Sequence, residues 1–161
     1  MAEGEFALVR QHLEASKSKP LSYRSLGLND HDLYAMLVDA AVQQRDMSAL
    51  REYVPLAEAL AERHGHTLYR AIAQRAWGVL HYLAGDNDQA LVSLNAALDI
   101  FRALDTQWQL GRTHVELGEL ARACGDVDAA RRHLTEALAA FESLGGLPDV
   151  RRTRAAQQAL D

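Results

Sequence analysis

Apolar residues recur three and four apart along most of the chain, the spacing of a helix with one buried face. Between Gly78 and Phe101 they fall at Leu80, Leu83 and Ala84, then at Ala90, Leu91, Leu94, Ala97, Leu98 and Phe101. Gly85-Asp86-Asn87-Asp88 separates the two groups. Glycine readily takes the left-handed conformation that stops a helix, and Asp86 is placed to cap the next one, with Gln89 three positions on as in a capping box. The pattern predicts two antiparallel helices joined by a very short turn. Forty residues later Gly118–Phe141 repeats the pattern, with ten identical positions of twenty-four, Gly125 as the stop and Asp126 as the cap.

Small residues recur in register: Gly78 with Gly118, Ala90 with Ala130, Ala97 with Ala137. Helices joined by so short a turn pack closely, and a small residue on one admits a large one from the other. The matched large residues are Leu80 and Leu120, Leu94 and Leu134, Leu98 and Leu138, Phe101 and Phe141. A fainter copy lies forty residues upstream, where Leu37, Asp46, Val54, Ala57 and Ala61 stand in for Trp77, Asp86, Leu94, Ala97 and Phe101. There Val38 replaces the helix glycine and Arg45 the turn glycine.

The whole chain, 1–161, is therefore read as a single helical-repeat domain. A leading amphipathic helix over 4–16 carries Phe6, Val9 and Leu13 on one face, and an irregular connector over 17–28 contains Pro20 and Gly27. A degenerate repeat follows over 29–63, then repeats over 67–104 and 107–144, then a polar capping helix over 148–160 begun by Leu147-Pro148-Asp149. Eight helices result.

The glycine of the first helix, the Gly-Asp turn and the paired alanines resemble the tetratricopeptide repeat. Trp77 and Leu117 match its large residue before the glycine. The period departs from the family's usual one of about 34 residues. The first-helix aromatic is displaced, with His81 and Ala121 at its place and Tyr82 one step on, and the proline near the end of the unit is missing. This longer form is similar to helical-repeat regions of large bacterial signalling ATPases, nucleotide cyclases and maltose-regulator-type transcription activators, over roughly residues 29–155. The resemblance implies an all-α, right-handed superhelix of antiparallel hairpins that binds proteins.

Composition narrows the function. A net charge of −5 offers no positive field for a phosphate backbone, so nucleic acid is not an expected partner. No apolar run approaches the length of a membrane span, and the polar, acidic N-terminus does not read as a signal peptide. One cysteine, Cys124, fits a reducing compartment, and the chain is read as a cytoplasmic protein.

Catalytic constellations are missing from the sequence: no Walker loop, nucleophile elbow or H-E-x-x-H motif, and no cofactor or metal is implied. Cys124, beside the turn glycine, is expected to be a partly buried structural residue. His64-Gly65-His66 is the only close histidine pair and reads as two polar loop residues, since the spacing supplies no third ligand. Trp77 is expected in the core, and Trp108 either staples a loop or faces a contact surface.

In a stack of such hairpins the first helices line the concave side. The expected partner-binding residues are Met36 and Asp39 in the first repeat, Arg75, Val79 and Tyr82 in the second, and Arg112, Glu116, Glu119 and Arg122 in the third. Their groove would be apolar in the middle, acidic at one end and mixed Arg/Glu at the other. These residues predict a non-catalytic module presenting a groove to a partner helix or peptide, within a signalling or transcription-regulating system. A small-molecule effector-sensing domain is the alternative, and apolar stack ends admit a homo-oligomer.

Overall fold

The computed structural model describes residues 30–160 and, ahead of them, residues 11, 12, 14 and 15. Those four are helical. The rest of the expected 4–16 helix and the 17–28 connector lie outside the described residues. Seven helices follow: α1 Asp30–Gln44, α2 Met47–Arg63, α3 Thr67–Leu83, α4 Asn87–Ala103, α5 Gln107–Ala123, α6 Val127–Ser143 and α7 Leu147–Gln158. The described residues contain no strand, and the all-α helical-repeat architecture expected from the periodicity holds.

One turn, used six times, sets this regularity. Arg45, Gly65, Gly85, Asp105, Gly125 and Gly145 all have positive φ, between 50° and 83°, at intervals of twenty residues. At Gly85 the turn closes with Gly85 N–H donating to the Tyr82 carbonyl and Asp86 N–H to the His81 carbonyl. This is the Schellman pairing, which satisfies carbonyls left open at a helix end. The residue that completes the stop is also the N-cap of the next helix, so three residues connect two helices.

Turns inside hairpins differ from turns between them in one respect. Asp46, Asp86 and Asp126 accept from the backbone N–H of Ala49, Gln89 and Ala129, whereas His66, Thr106 and Gly146 cap without a side-chain bond. The forty-residue repeat is thus two twenty-residue helix–turn units distinguished by an aspartate. Arg45 and Asp105 occupy the left-handed region without being glycine, a strain of roughly 1–2 kcal/mol each.

Hairpin packing follows the small-residue pattern. A Cβ on Gly78 would lie 2.5 Å from Leu94 Cγ, and one on Gly118 3.1 Å from Leu134 Cγ. Leu94 and Leu134 are themselves buried, so neither has room to retreat. In the first repeat Val38 and Val54 stand at the Gly78 and Leu94 registers, and both are fully buried. The growth at one position is matched by shrinkage at the other. Gly111 adds a contact absent from the repeat pattern, since its Cβ would meet the Phe141 ring at 2.7 Å.

Buried residues form three clusters along the stack. The largest joins α1, α2 and α3 with Ala97 and Phe101 of α4; the second joins α4 and α5; the third joins Ala137 and Phe141 to Val150 of α7. Trp77 is only partly buried against the first cluster, because its indole N–H reaches out to Glu58 Oε2 at 2.9 Å. Cys124 is exposed rather than partly buried, since the helix-ending residue points its side chain away from the hairpin contact. First helices touch one another, α1 with α3 and α3 with α5, while second helices make no comparable contact. The stack therefore curves with the first helices inside.

Gly78→Ala is expected to destabilise the protein by roughly 1–3 kcal/mol in urea unfolding, because overpacking outweighs the better helix propensity of alanine. Gly118→Ala, with a longer approach, should cost less. Equal or greater stability for Gly78→Ala would refute the close-approach reading.

Candidate functional site

The inner face is organised by one carboxylate. Asp39, on α1, accepts from Arg75 Nη2 of α3 through Oδ1 at 2.8 Å and from Arg112 Nη1 of α5 through Oδ2 at 2.8 Å. Three first helices, one from each repeat, are tied at a single point. Arg75 exposes 1% of its surface and Arg112 7%, and each lies against an aromatic ring: Arg75 over Phe101 at 5.4 Å, Arg112 over Trp108 at 4.7 Å. Trp108 is therefore both a structural partner and, at 43% exposure, part of the surface. Gln109 accepts from Arg75 Nη1, and Arg45 reaches across from the end of α1 to Glu116 of α5.

The electrostatics follow from two guanidiniums sharing one carboxylate. Burial by itself would raise the Asp39 carboxyl, but Arg112 and Arg75 outweigh it and hold the group below its ordinary value. Arg75 is pushed down to about 10, first by burial and then by the neighbouring Arg112. It stays charged at neutral pH. Arg75 Nε and Arg112 Nη2 are buried without a hydrogen-bond partner.

The residues expected to line the groove separate into three groups. Asp39, Arg75 and Arg112 come together in the network, and Glu116 joins it through Arg45. Glu119 and Arg122 pair with each other at 2.8 Å near the end of α5. Met36, Val79 and Tyr82 take no part in it. Met36 is 40% exposed; Tyr82 packs partly buried against the α4–α5 cluster. Val79 is 1% exposed, and its neighbours Ile72 and Ala76 are buried as well. The expected apolar middle of the groove is therefore closed: Ile72, Ala76 and Val79 belong to the core cluster that α3 shares with α1 and α2, and neither Arg75 nor Val79 offers its side chain to a partner.

An open space remains beside the network. A cavity of about 240 Å³ lies between the end of α1 and α7, floored by α5, with Val42, Arg45, Arg112, Val115, Glu116 and Arg152 among its walls.

Two histidine arrangements were not legible in the spacing. His31, in the first turn of α1 and almost buried, shares a hydrogen bond between its Nε2 and His64 Nδ1 at 2.8 Å, and its ring contacts His66 and Tyr69. The His64–His66 pair thus has a third imidazole 33 residues away in sequence, which only the fold brings near. Burial, then His66 and His64, lower the basicity of His31. Among the described residues no group of three or more His, Cys, Asp or Glu side chains is arranged to hold a metal ion.

The second arrangement is His114 of α5 facing His133 of α6, their Nδ1 atoms 3.1 Å apart. His114 is pushed down to about 4, by burial first and His133 second, and His133 is lowered by burial and then Arg132. Both are neutral in the folded protein near pH 7, whereas an unfolded imidazole titrates near 6.5. The unfolded chain then binds more protons below that value, so the stability held above about pH 6.5 is lost as pH falls toward about 4. The urea midpoint of the native protein is expected to drop over this interval more than that of His114→Gln. Parallel pH profiles for the two proteins would contradict this.

Residues 69–143 match the tetratricopeptide repeat family model. This stretch runs from α3 through α6, the two hairpins with the clearest Gly-Asp turns, and its repeats are similar to that family's. Among solved structures, the crystal structure of BtubC (BKLC) from P. vanneervenii is similar, with 18% identity and a TM-score of 0.56 over 98% of this chain and 74% of that one. At that identity the likeness shows the helical-repeat fold alone. No curated protein matches the chain. No helix among the described residues is long and apolar enough to cross a membrane.

Proposed function

We propose that this chain is a non-catalytic protein-interaction module of the long-period tetratricopeptide type, serving a signalling or transcription-regulating system in the cytoplasm. The observation that carries the reading is the match of α3–α6 to a repeat family whose members generally bind proteins. The forty-residue spacing and the stretch Phe101–Thr113 support the long-period type. A partner segment would lie along the accessible inner edge, against Met36, Tyr82, Glu119 and Arg122, on either side of the Asp39 tie. Asp39, Arg75 and Arg112 would set the shape of that surface, and Val79 would serve only as packing beneath it.

Capture from cell extract, compared across three proteins, tests the assignment of the surface. One is unmodified, one carries Met36→Glu with Arg122→Glu on the inner edge, and one carries Leu91→Glu with Val92→Glu on α4. Leu91 and Val92 are exposed on a second helix, away from the inner face. The expected result is a partner recovered by the unmodified and α4-substituted proteins and lost by the inner-edge variant. Retention by the inner-edge variant, or loss by the α4 variant, would overturn it.

A further inference from the structure

We propose that the cavity between α1, α5 and α7 binds a small molecule bearing a carboxylate or phosphate group. Three guanidiniums reach its walls, Arg45 from the turn after α1, Arg112 from α5 and Arg152 from α7. Arg45 hands one terminal nitrogen to Glu116, Arg152 hands one to Asp149, and Arg112 hands one to Asp39. The Arg45 and Arg152 side chains are 36% and 57% exposed, so the rest of each fork is open to an incoming acceptor. Arg112 is more than nine-tenths buried and lines the cavity, and its Nη2 has no partner.

The charge count points the same way. The charged groups that line the cavity balance, Arg45, Arg112 and Arg152 against Glu116, Glu119 and Asp149, but Asp39 behind Arg112 is shared with Arg75, so that buried pair has one guanidinium more than carboxylates. The surplus charge sits at the Arg75–Arg112 pair, which shares a single carboxylate. An oxyanion in the cavity compensates it, and charge-assisted bonds from guanidinium to such a group are among the strongest available.

Size and lining restrict what carries the anion. The cavity measures about 240 Å³. That is room for one small molecule. Val42, Val115, Phe141 and Ala156 supply apolar wall for a short carbon skeleton. The ligand is thus a small organic acid or phosphate compound, held between the end of α1 and α7. This inference does not rest on the proposed protein partner, since the anion can bind whether or not a partner is ever captured.

Nuclear magnetic resonance titration of the full chain with succinate and, separately, inorganic phosphate tests it, with sodium chloride at equal ionic strength as the reference. Saturable shifts are expected at Val115, Arg152 and Thr153 with at least one of the two anions and not with chloride. Arg45→Gln with Arg152→Gln should weaken binding roughly tenfold or more, and Arg152→Lys alone should keep part of it. Absence of saturable shifts at these residues with both anions would overturn the proposal, and that readout needs no variant. So would unchanged binding by a folded double variant. An acetylated Asp-Glu peptide that shifts these residues when neither free anion does would also overturn it, by making a protein side chain the source of the carboxylate.

Discussion

The shape of the inner face depends on one carboxylate between two buried guanidiniums. Among the described residues Asp39 is the only acid bonded to Arg75 or Arg112, and it draws α1, α3 and α5 to one point. Each guanidinium is paired, stacked on an aromatic ring and largely removed from water, so loss of the carboxylate would leave two buried charges facing each other. Besides this tie, only the Arg45–Glu116 ion pair among the described ion pairs joins the first repeat to the third. The tie supplies the long-range contact that local turns cannot.

The turns supply everything short-range. A helix stop that is also the next helix's N-cap fixes the start of each helix twenty residues after the last. Hairpins then close wherever a glycine admits a leucine, as at Gly78 and Gly118. Inside such a regular frame, the variable side chains at one register decide what each repeat does. Asp39, Val79 and Glu119 share a register, yet one is the tie, one is core and one pairs with a neighbour on its own helix.

The frame was largely legible in the sequence, because it is built from residues with little choice. Gly85 and Gly125 announce a left-handed turn, and Asp86 and Asp126 announce a cap. Arg45 and Asp105 adopt the same turn without announcing it, since other residues reach that conformation only under strain that the surrounding helices impose. The polar face was half legible. Asp39, Arg75 and Arg112 were recognisable as inward-facing, but their pairing depends on curvature, a sum of small angles over three repeats that no local spacing encodes. The same blindness hid His31 beside His64 and the closure over Val79, which reads as a groove residue on an isolated hairpin and is core once α3 packs on α1 and α2.

The most direct test of the Asp39 tie is a double-mutant cycle on Asp39→Asn and Arg112→Gln, read by urea unfolding. A bonded pair linking the first and third repeats should give a coupling of at least about 1 kcal/mol, the double variant losing less than the two single losses combined. Strict additivity would mean that the two side chains do not interact across the repeats, and the account of how the inner face is shaped would fail.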